Sequence, residues 1–445
     1  MNGRALGTVV CPQPEAADTA VDILEAGGNA VDAAVACALV QGVVDPLMCG
    51  IAGFGSLALY RPREGTRYLD FHAPAPLAAR EDMWADRLEG ETRDGFGFLL
   101  RDRVNDLGYQ AICVPMALAA YEEAHRRWGR LPWSDVVAPA VAWAREGYVV
   151  RPAMMTFFLE GAAMGRAATL DRLACSATGR TLYLTPDGRP KPVGASIVNP
   201  DLAATLDAIA REGAATFYRG AIAERILADM ATSGGLLTGA DLAAAAPVDA
   251  EPLVGSYRGL RIVTNRPPGG GVMLLMMLNI LENFDLRATG HNTAQTIRVV
   301  AEAMKRATID KDRHVGDPEF VDVPLDWLLD KARAADAAAA IRRGERAEVP
   351  RIREAPPPRH TTHISLIDAD GTAVAMTHSL GMPSGVITDG LGFMYNGCMG
   401  CSTRGRGAPG RSRRASAGSA RWRRHWCSMA RISPSCSAHP AALRS

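Results

Sequence analysis

No positively charged stretch followed by an apolar run opens this sequence, so no secretory leader is expected and a cytoplasmic location follows. Nor is there a membrane span. The most apolar stretch, residues 30–59, is broken by Asp32, Asp45, Pro46 and a run of Gly, which suits buried helix and loop. A second C-x-x-C pair is missing too. Cys398 and Cys401 form the only one among nine scattered Cys. With no βαβ pattern around it, neither a zinc ribbon nor a thioredoxin site is supported, and no metal is expected. Most of the nine read as small buried hydrophobes. Solenoid periodicity is absent. The formal charge of +1 is too small for a chain-wide nucleic-acid binder. That figure hides an asymmetry, because residues 401–445 contain ten Arg and no Lys, Asp or Glu. Residues 1–400 therefore carry 39 basic and 48 acidic residues, a net of −9.

What is present is a 445-residue chain, 48% apolar, long enough for two to three average domains or one large α/β domain. Residues 14–26 read as a helix with Glu15 and Asp18 in its first turn and Gly27-Gly28 as its stop. Asn29 can cap the next helix, with Asp32 at its third position, and residues 30–40 are apolar all round, as in a buried helix. The Gly-rich loop 49–56 follows a helix and precedes a strand, the reverse of the dinucleotide-binding order, so close backbone packing is its expected use. Helical segments are expected at 114–128, 133–146, 199–212, 214–233, 239–246, 272–283, 294–308 and 330–343, with a strand at 260–265. Residues 350–359, rich in Pro and Arg, read as an exposed linker.

After that linker the period changes from helical to alternating. Residues 360–368 and 372–378 flank Ala369-Asp370-Gly371, a β-hairpin pattern. Thr361-Thr362-His363 at its start is in the first place a run of β-formers. It also permits a specific chemistry. A cut before Thr361 would make it a new N-terminus, with its hydroxyl activated by its own α-amine. An α-amino group titrates near ~8 and serves as a base at neutral pH.

Many segments, in order, resemble the γ-glutamyltranspeptidase (glutathione hydrolase) family of N-terminal-nucleophile hydrolases. They include P-E-A-A-D-T-A-V-D-I-L-E-A-G-G-N-A-V-D-A-A-V-A from Pro14, M-C-G-I-A-G-F-G from Met48 and R-R-W-G-R-L-P-W from Arg126. Others are G-G-L-L-T-G-A-D-L-A from Gly234, N-R-P-P-G-G-G from Asn265, E-A-M-K-R-A from Glu302 and V-G-D-P-E-F-V-D-V-P from Val315. The most specific is T-T-H-I-S-L-I-D-A-D-G-T-A-V-A-M-T from Thr361. The resemblance implies an α/β (α+β) fold, a four-layer αββα sandwich. It implies a precursor cut between His360 and Thr361 into large and small chains that stay associated. Thr361 would be the nucleophile, its α-amine the base, and Ser379 the supporting hydroxyl. The reaction implied is transfer of a γ-glutamyl group, from a donor such as glutathione, to water or an amino-acid acceptor. No cofactor is implied, nor a nucleic-acid or membrane partner. Family members are often periplasmic or secreted.

Three positions depart from the family's substrate ligands. His72 stands where an Arg usually clamps the α-carboxylate, and an imidazole gives no bidentate, permanently charged clamp. Gly381 and Cys398 replace the usual Asn and Gln/Glu. An acylase of the same fold with a different acyl specificity is therefore the alternative enzyme reading.

Residues 401–445 depart further, since neither an S-S-M-x-P-T stretch nor the later P-G-G of the oxyanion hole is present. Trp422, His425 and Trp426 among the arginines suggest a basic nucleic-acid arm on a non-catalytic binding protein, or plain disorder. A shifted reading frame near Gly400 fits better. Joining each codon's last base to the next two makes His425-Trp426 Leu, Trp426-Cys427 Val and Met429-Ala430 Gly. With allowed choices elsewhere, residues 419–430 become S-S-M-A-P-T-L-V-F-D-G. The expected organisation is thus 1–360 as large-chain region, 361–400 as the start of the small chain, and 401–445 as an aberrant, disordered tail. The sandwich would be incomplete at its C-terminus and activity impaired.

Overall fold

A computed structural model describes residues 7–80, 82–92, 97–162, 165–318, 321–350 and 361–401. Residues 351–359 of the linker expected at 350–359, His360 and the tail beyond Cys401 lie outside the described residues.

Its centre is a six-stranded antiparallel sheet. The spatial order is Gly7–Val10, Thr362–Asp368, Ala373–Ser379, Phe54–Arg61, Gly65–Phe71, Val248–Asp249. The hairpin read from the alternating pattern is therefore not an appendage. It lies inside the sheet, bonded on both flanks to strands from the first 61 residues. Alternation sorts its side chains by face. Ile364, Leu366, Val374 and Met376, with Leu57, Leu59, Leu69 and Phe71 from the neighbouring strands, point one way and are buried.

That face is covered by the helices Pro14–Glu25 and Ala30–Val44, whose residues share its core. The first starts on Pro14, where a missing N–H costs nothing. The second starts on a reciprocal capping box: Asn29 Oδ1 accepts from the Asp32 N–H at 3.1 Å, and Asp32 Oδ2 accepts from the Asn29 N–H at 2.9 Å. Every residue of Ala30–Val44 except Gly42 is buried. The helices Ala117–Trp128, Trp133–Glu146 and Pro200–Glu212 extend the same core outward. A separate cluster joins the hairpin Leu253–Tyr257 and Leu260–Thr264 to the helix Gly271–Leu281. Ala294–His314 and Lys331–Arg342 pack on that helix in turn.

The α/β class agrees with expectation. Beyond the six-stranded sheet, the sheets among the described residues are two-stranded. Several helix boundaries differ by three or four residues, as at Ala117–Trp128 and Gly239–Ala243, and two helices differ more. The helix expected over 214–233 is broken into Ala215–Arg219 and Ala221–Thr232, because Gly220 is extended between them. The helix expected over 294–308 runs on to His314, since no Gly or Pro stops it. The Gly-rich segment 49–56 is a packing device, as expected, although its last three residues already belong to the strand Phe54–Arg61. A Cβ on Gly53 would stand 2.5 Å from the Ser379 carbonyl oxygen, and one on Gly55 would stand 2.1 Å from that of Thr377. Among the described residues no helix is long and apolar enough to cross a membrane.

Candidate active site

The sheet face opposite the helices has a different character. Its residues include His363, Ser365, Thr377, Ser56, Tyr68 and Asp70, polar and in part half-exposed. His363 Nδ1 lies 2.8 Å from Thr377 Oγ1 and its Nε2 3.0 Å from Ser365 Oγ. Thr361 opens this row, half-buried, with its Oγ1 3.0 Å from Ser379 Oγ. Ser379 closes the partner strand, and the register that sets Thr362 opposite His378 sets these two hydroxyls side by side. The Gly381 N–H donates to Ser379 Oγ at 2.9 Å. Ser379 Oγ accepts that hydrogen bond and still carries its own hydroxyl proton, and either hydroxyl can donate in the pair with Thr361.

The three departing positions converge on the same place. A Cβ on Gly381 would meet Cys398 Sγ at 3.1 Å and the Phe54 ring at 3.3 Å. Gly381 holds φ +68°, in the left-handed region that favours glycine. Phe54 in turn leans on the His72 ring, with centroids 6.2 Å apart. Cys398 is buried among Phe54, Ala73, Ala75, Trp84, Cys113 and Met399. Asn396, fully buried, fixes this wall. Its Oδ1 accepts from the N–H groups of Cys113 and Cys398, and its Nδ2 donates to the carbonyls of Ala52 and Cys113. The wall beside Thr361 and Ser379 is thus largely apolar, with one ionisable pair at its edge.

That pair is His72 and Asp70. His72 Nδ1 is 2.5 Å from Asp70 Oδ1, which also accepts the His72 backbone N–H at 2.9 Å. Burial opposes charge on the ring, yet Asp70 and the more distant Asp317 outweigh it and hold its pKa above the ordinary value. Burial likewise opposes the Asp70 carboxylate, and His72 holds it below its usual range. A second buried charge cluster holds Pro383 through Arg172 and Gly400 through Arg166, which donates to the Gly400 carbonyl at 3.1 Å. Arg172 donates to the carbonyls of Asp106 and Pro383, each at 2.6 Å, and to Asp106 Oδ1 at 2.8 Å. Burial would raise the Asp106 carboxyl, but the Arg172 and Arg166 charges keep it low.

Sequence reasoning missed Gln13, Gln41, Tyr121 and His378, which line up beneath Thr362 on the helix side of the sheet. One signal was available: Gln41 is a lone amide in an otherwise apolar stretch of helix, and a buried amide needs partners. Among the described residues no group of three or more His, Cys, Asp or Glu is placed to hold a metal ion.

The family model described as gamma-glutamyltranspeptidase matches residues 16–408. The chain belongs to the gamma-glutamyltranspeptidase family. A glutathione hydrolase proenzyme of Pseudomonas sp. strain A14 is 33% identical over 400 residues, covering 88% of this chain and 67% of that protein. An acylase ACY 1 proenzyme of Pseudomonas sp. strain V22 is 36% identical, covering 88% and 69%. The crystal structure of cephalosporin acylase from Bacillus halodurans superposes with a TM-score of 0.74 at 28% identity, over 90% of this chain and 70% of that one. The chain thus spans about two thirds of the length of these relatives. Gamma-glutamyltranspeptidase relatives and acylase relatives are alike enzymes, and the fold is that of the N-terminal-nucleophile hydrolases. Within this gamma-glutamyltranspeptidase frame, Phe54, Gly381 and Cys398 form an apolar wall beside Ser379.

Proposed function

We propose that this chain is a self-processing acyl-transfer enzyme with Thr361 as nucleophile and Ser379 as the hydroxyl that supports it. One observation carries the proposal: two hydroxyls 3.0 Å apart at the open end of an interior hairpin, one of them aligned by a backbone N–H. A cut between His360 and Thr361 frees the α-amine of Thr361. The amine takes the proton from Oγ1, and the oxygen attacks the acyl carbonyl of the donor. The Ser379 proton stabilises the charge on Oγ1, and the protonated amine returns its proton to the departing amine. Water or an amino acceptor then attacks the acyl-enzyme by the same steps in reverse order.

A γ-glutamyl donor such as glutathione is the substrate favoured by family membership. His72, whose protonated form Asp70 favours, would meet the donor's carboxylate. A second reading, a different acyl group, is favoured by the apolar contacts of Phe54 with Gly381 and of Cys398 with its buried neighbours. Turnover is expected to be low, because the residues after Gly400 lack the S-S-M-x-P-T and P-G-G stretches, and each lost oxyanion donor costs about 10²–10³-fold.

Expression followed by a denaturing gel and N-terminal sequencing tests processing. A small fragment beginning at Thr361 in the wild-type chain, and none in Thr361→Ala, supports the proposal; an uncut wild-type chain sinks it. Hydrolysis of a γ-glutamyl anilide against a simple acyl anilide without an α-amino group separates the two donor classes. Restoring the frame after codon 400 is expected to raise turnover.

A further inference from the structure

Beneath Thr362, on the sealed side of the sheet, a thread of hydrogen bonds runs through the core. The Tyr121 hydroxyl lies 2.6 Å from His378 Nδ1, and His378 Nε2 lies 2.7 Å from Gln41 Oε1. Gln41 Nε2 donates to Gln13 Oε1 at 2.6 Å and to Thr362 Oγ1 at 2.9 Å. Thr362 Oγ1 donates in turn to Gln13 Oε1 at 3.1 Å, and Gln13 Nε2 donates to Asp45 Oδ2 at 2.8 Å. Tyr121, His378, Gln41, Thr362 and Gln13 are all buried.

The direction of every proton in this thread follows from its lower end. A carboxylate oxygen accepts, so the Gln13 amide nitrogen faces Asp45 and its oxygen faces inward. That oxygen needs donors, which turns the Gln41 nitrogen toward it and the Gln41 oxygen toward His378. The Gln41 oxygen has no proton, so His378 Nε2 must supply one. Burial, with the neighbouring His363 charge as the smaller cause, drives the His378 pKa down to about 3, so the ring is neutral and Nδ1 is bare. Nδ1 then accepts from Tyr121, whose phenol burial keeps protonated. One tautomer satisfies the thread.

His378 and Thr362 are direct cross-strand partners, and Ser379 and Thr361 are the next residues on their strands. We propose that His378 is a positioning residue for the nucleophile. As the Nε2–H tautomer it ties Thr362 and the helix Ala30–Val44 into one directed thread, and thereby sets the depth and separation of Thr361 and Ser379 on the other face. The inference rests on the reading of Thr361 as nucleophile, and its geometric part is tested independently of turnover.

Two measurements on the full chain decide it. Nitrogen-15 shifts of the His378 ring are expected to show protonated Nε2 and bare Nδ1 at pH 6; a charged ring or the Nδ1–H tautomer overturns the inference. The rate of cleavage before Thr361, together with kcat and KM for the donor that is turned over, is then compared across variants. His378→Phe removes the donor to Gln41, and misplacement of a reacting group by about 1 Å costs as much as 10²-fold. The expected result is a roughly 10- to 100-fold fall in cleavage rate and kcat with KM within about twofold. His378→Gln, which can present an N–H near the Nε2 position, recovers at least part of that fall. Tyr121→Phe removes one oxygen and keeps the ring, so it serves where His378→Phe fails to fold. Its expected loss is a few-fold, in kcat rather than KM. Equal losses in His378→Phe and His378→Gln, or wild-type rates in Tyr121→Phe, overturn the positioning role. An uncut wild-type chain counts against the nucleophile reading, and the ring shifts still decide the thread.

Discussion

The two faces of the central sheet are made by the same strands, one residue out of phase, and they do opposite work. On the helix side Leu57, Leu59, Ile364, Leu366 and Met376 are sealed beneath Ala30–Val44, and the few polar groups there are paired. On the other side hydroxyls and imidazoles line the surface, and Thr361 is half-buried beside Ser379. Thr361 and Thr362 make the contrast sharpest. Adjacent in sequence, they share a side chain but face opposite environments. The proposed chemistry uses the accessible hydroxyl, and the fold uses the inaccessible one.

The largest expected effect breaks that pair apart. Thr361→Ala is expected to abolish cleavage and to lower hydrolysis by more than about 10³-fold, with a wild-type melting curve. Thr362→Val should do the reverse, leaving the nucleophile present but stranding Gln41 and Gln13, at a cost of about 1–3 kcal/mol in denaturant unfolding. If Thr362→Val proves as stable as wild type, the sealed face is not the stabilising one.

Packing supplies the next test. Met376→Ala opens a cavity on the helix side and is expected to cost about 2–5 kcal/mol, whereas Ile367→Ser on the open side should stay within about 0.5 kcal/mol. Comparable urea midpoints for the two would erase the distinction between faces. Gly53→Ala probes the junction, because its Cβ would press on the Ser379 carbonyl. Cleavage there should slow more than tenfold, and a wild-type cleavage rate would show that the loop gives way freely.

The smallest effect concerns pH. His72 has a raised pKa, so its contribution is present below the ordinary histidine value and is lost as pH rises through the raised one. Asp70 has a lowered pKa, so its share is lost as pH falls through that lower value. The pair therefore stabilises the fold between these two limits. His72→Asn should flatten the alkaline side of the stability profile and, for a donor bearing a carboxylate, remove the rise of KM over the same range. An unchanged alkaline limb would detach His72 from both roles.

Much of this was legible in the primary structure because its causes are local. The Asn29 cap, the stop at Gly27-Gly28 and the hairpin around Asp370-Gly371 each depend on residues a few positions apart. Thr361 and Ser379 were named from the resemblance to the family's motifs, since alternation alone marks Thr361 only as a β-former at the start of a hairpin. Gly220 splitting a helix was less visible, because a single Gly in a helical pattern is often tolerated. The thread from Tyr121 to Asp45 was not readable, for its partners come from two loops, two helices and two strands far apart in the chain.

The sequence alone determined the family, the hairpin, the candidate nucleophile and the three unusual positions around it, because motifs and periodicities are properties of order along the chain. Tertiary structure decided which of those residues meet. It set the hairpin inside the sheet rather than after it, and turned Thr361 outward and Thr362 inward. It brought both His72 and Gly381 to the Phe54 ring, with Cys398 beside Gly381. The physical reason is the sheet itself, whose register converts a shift of one residue into a change of face, and whose buried side leaves no polar atom free to choose its partner.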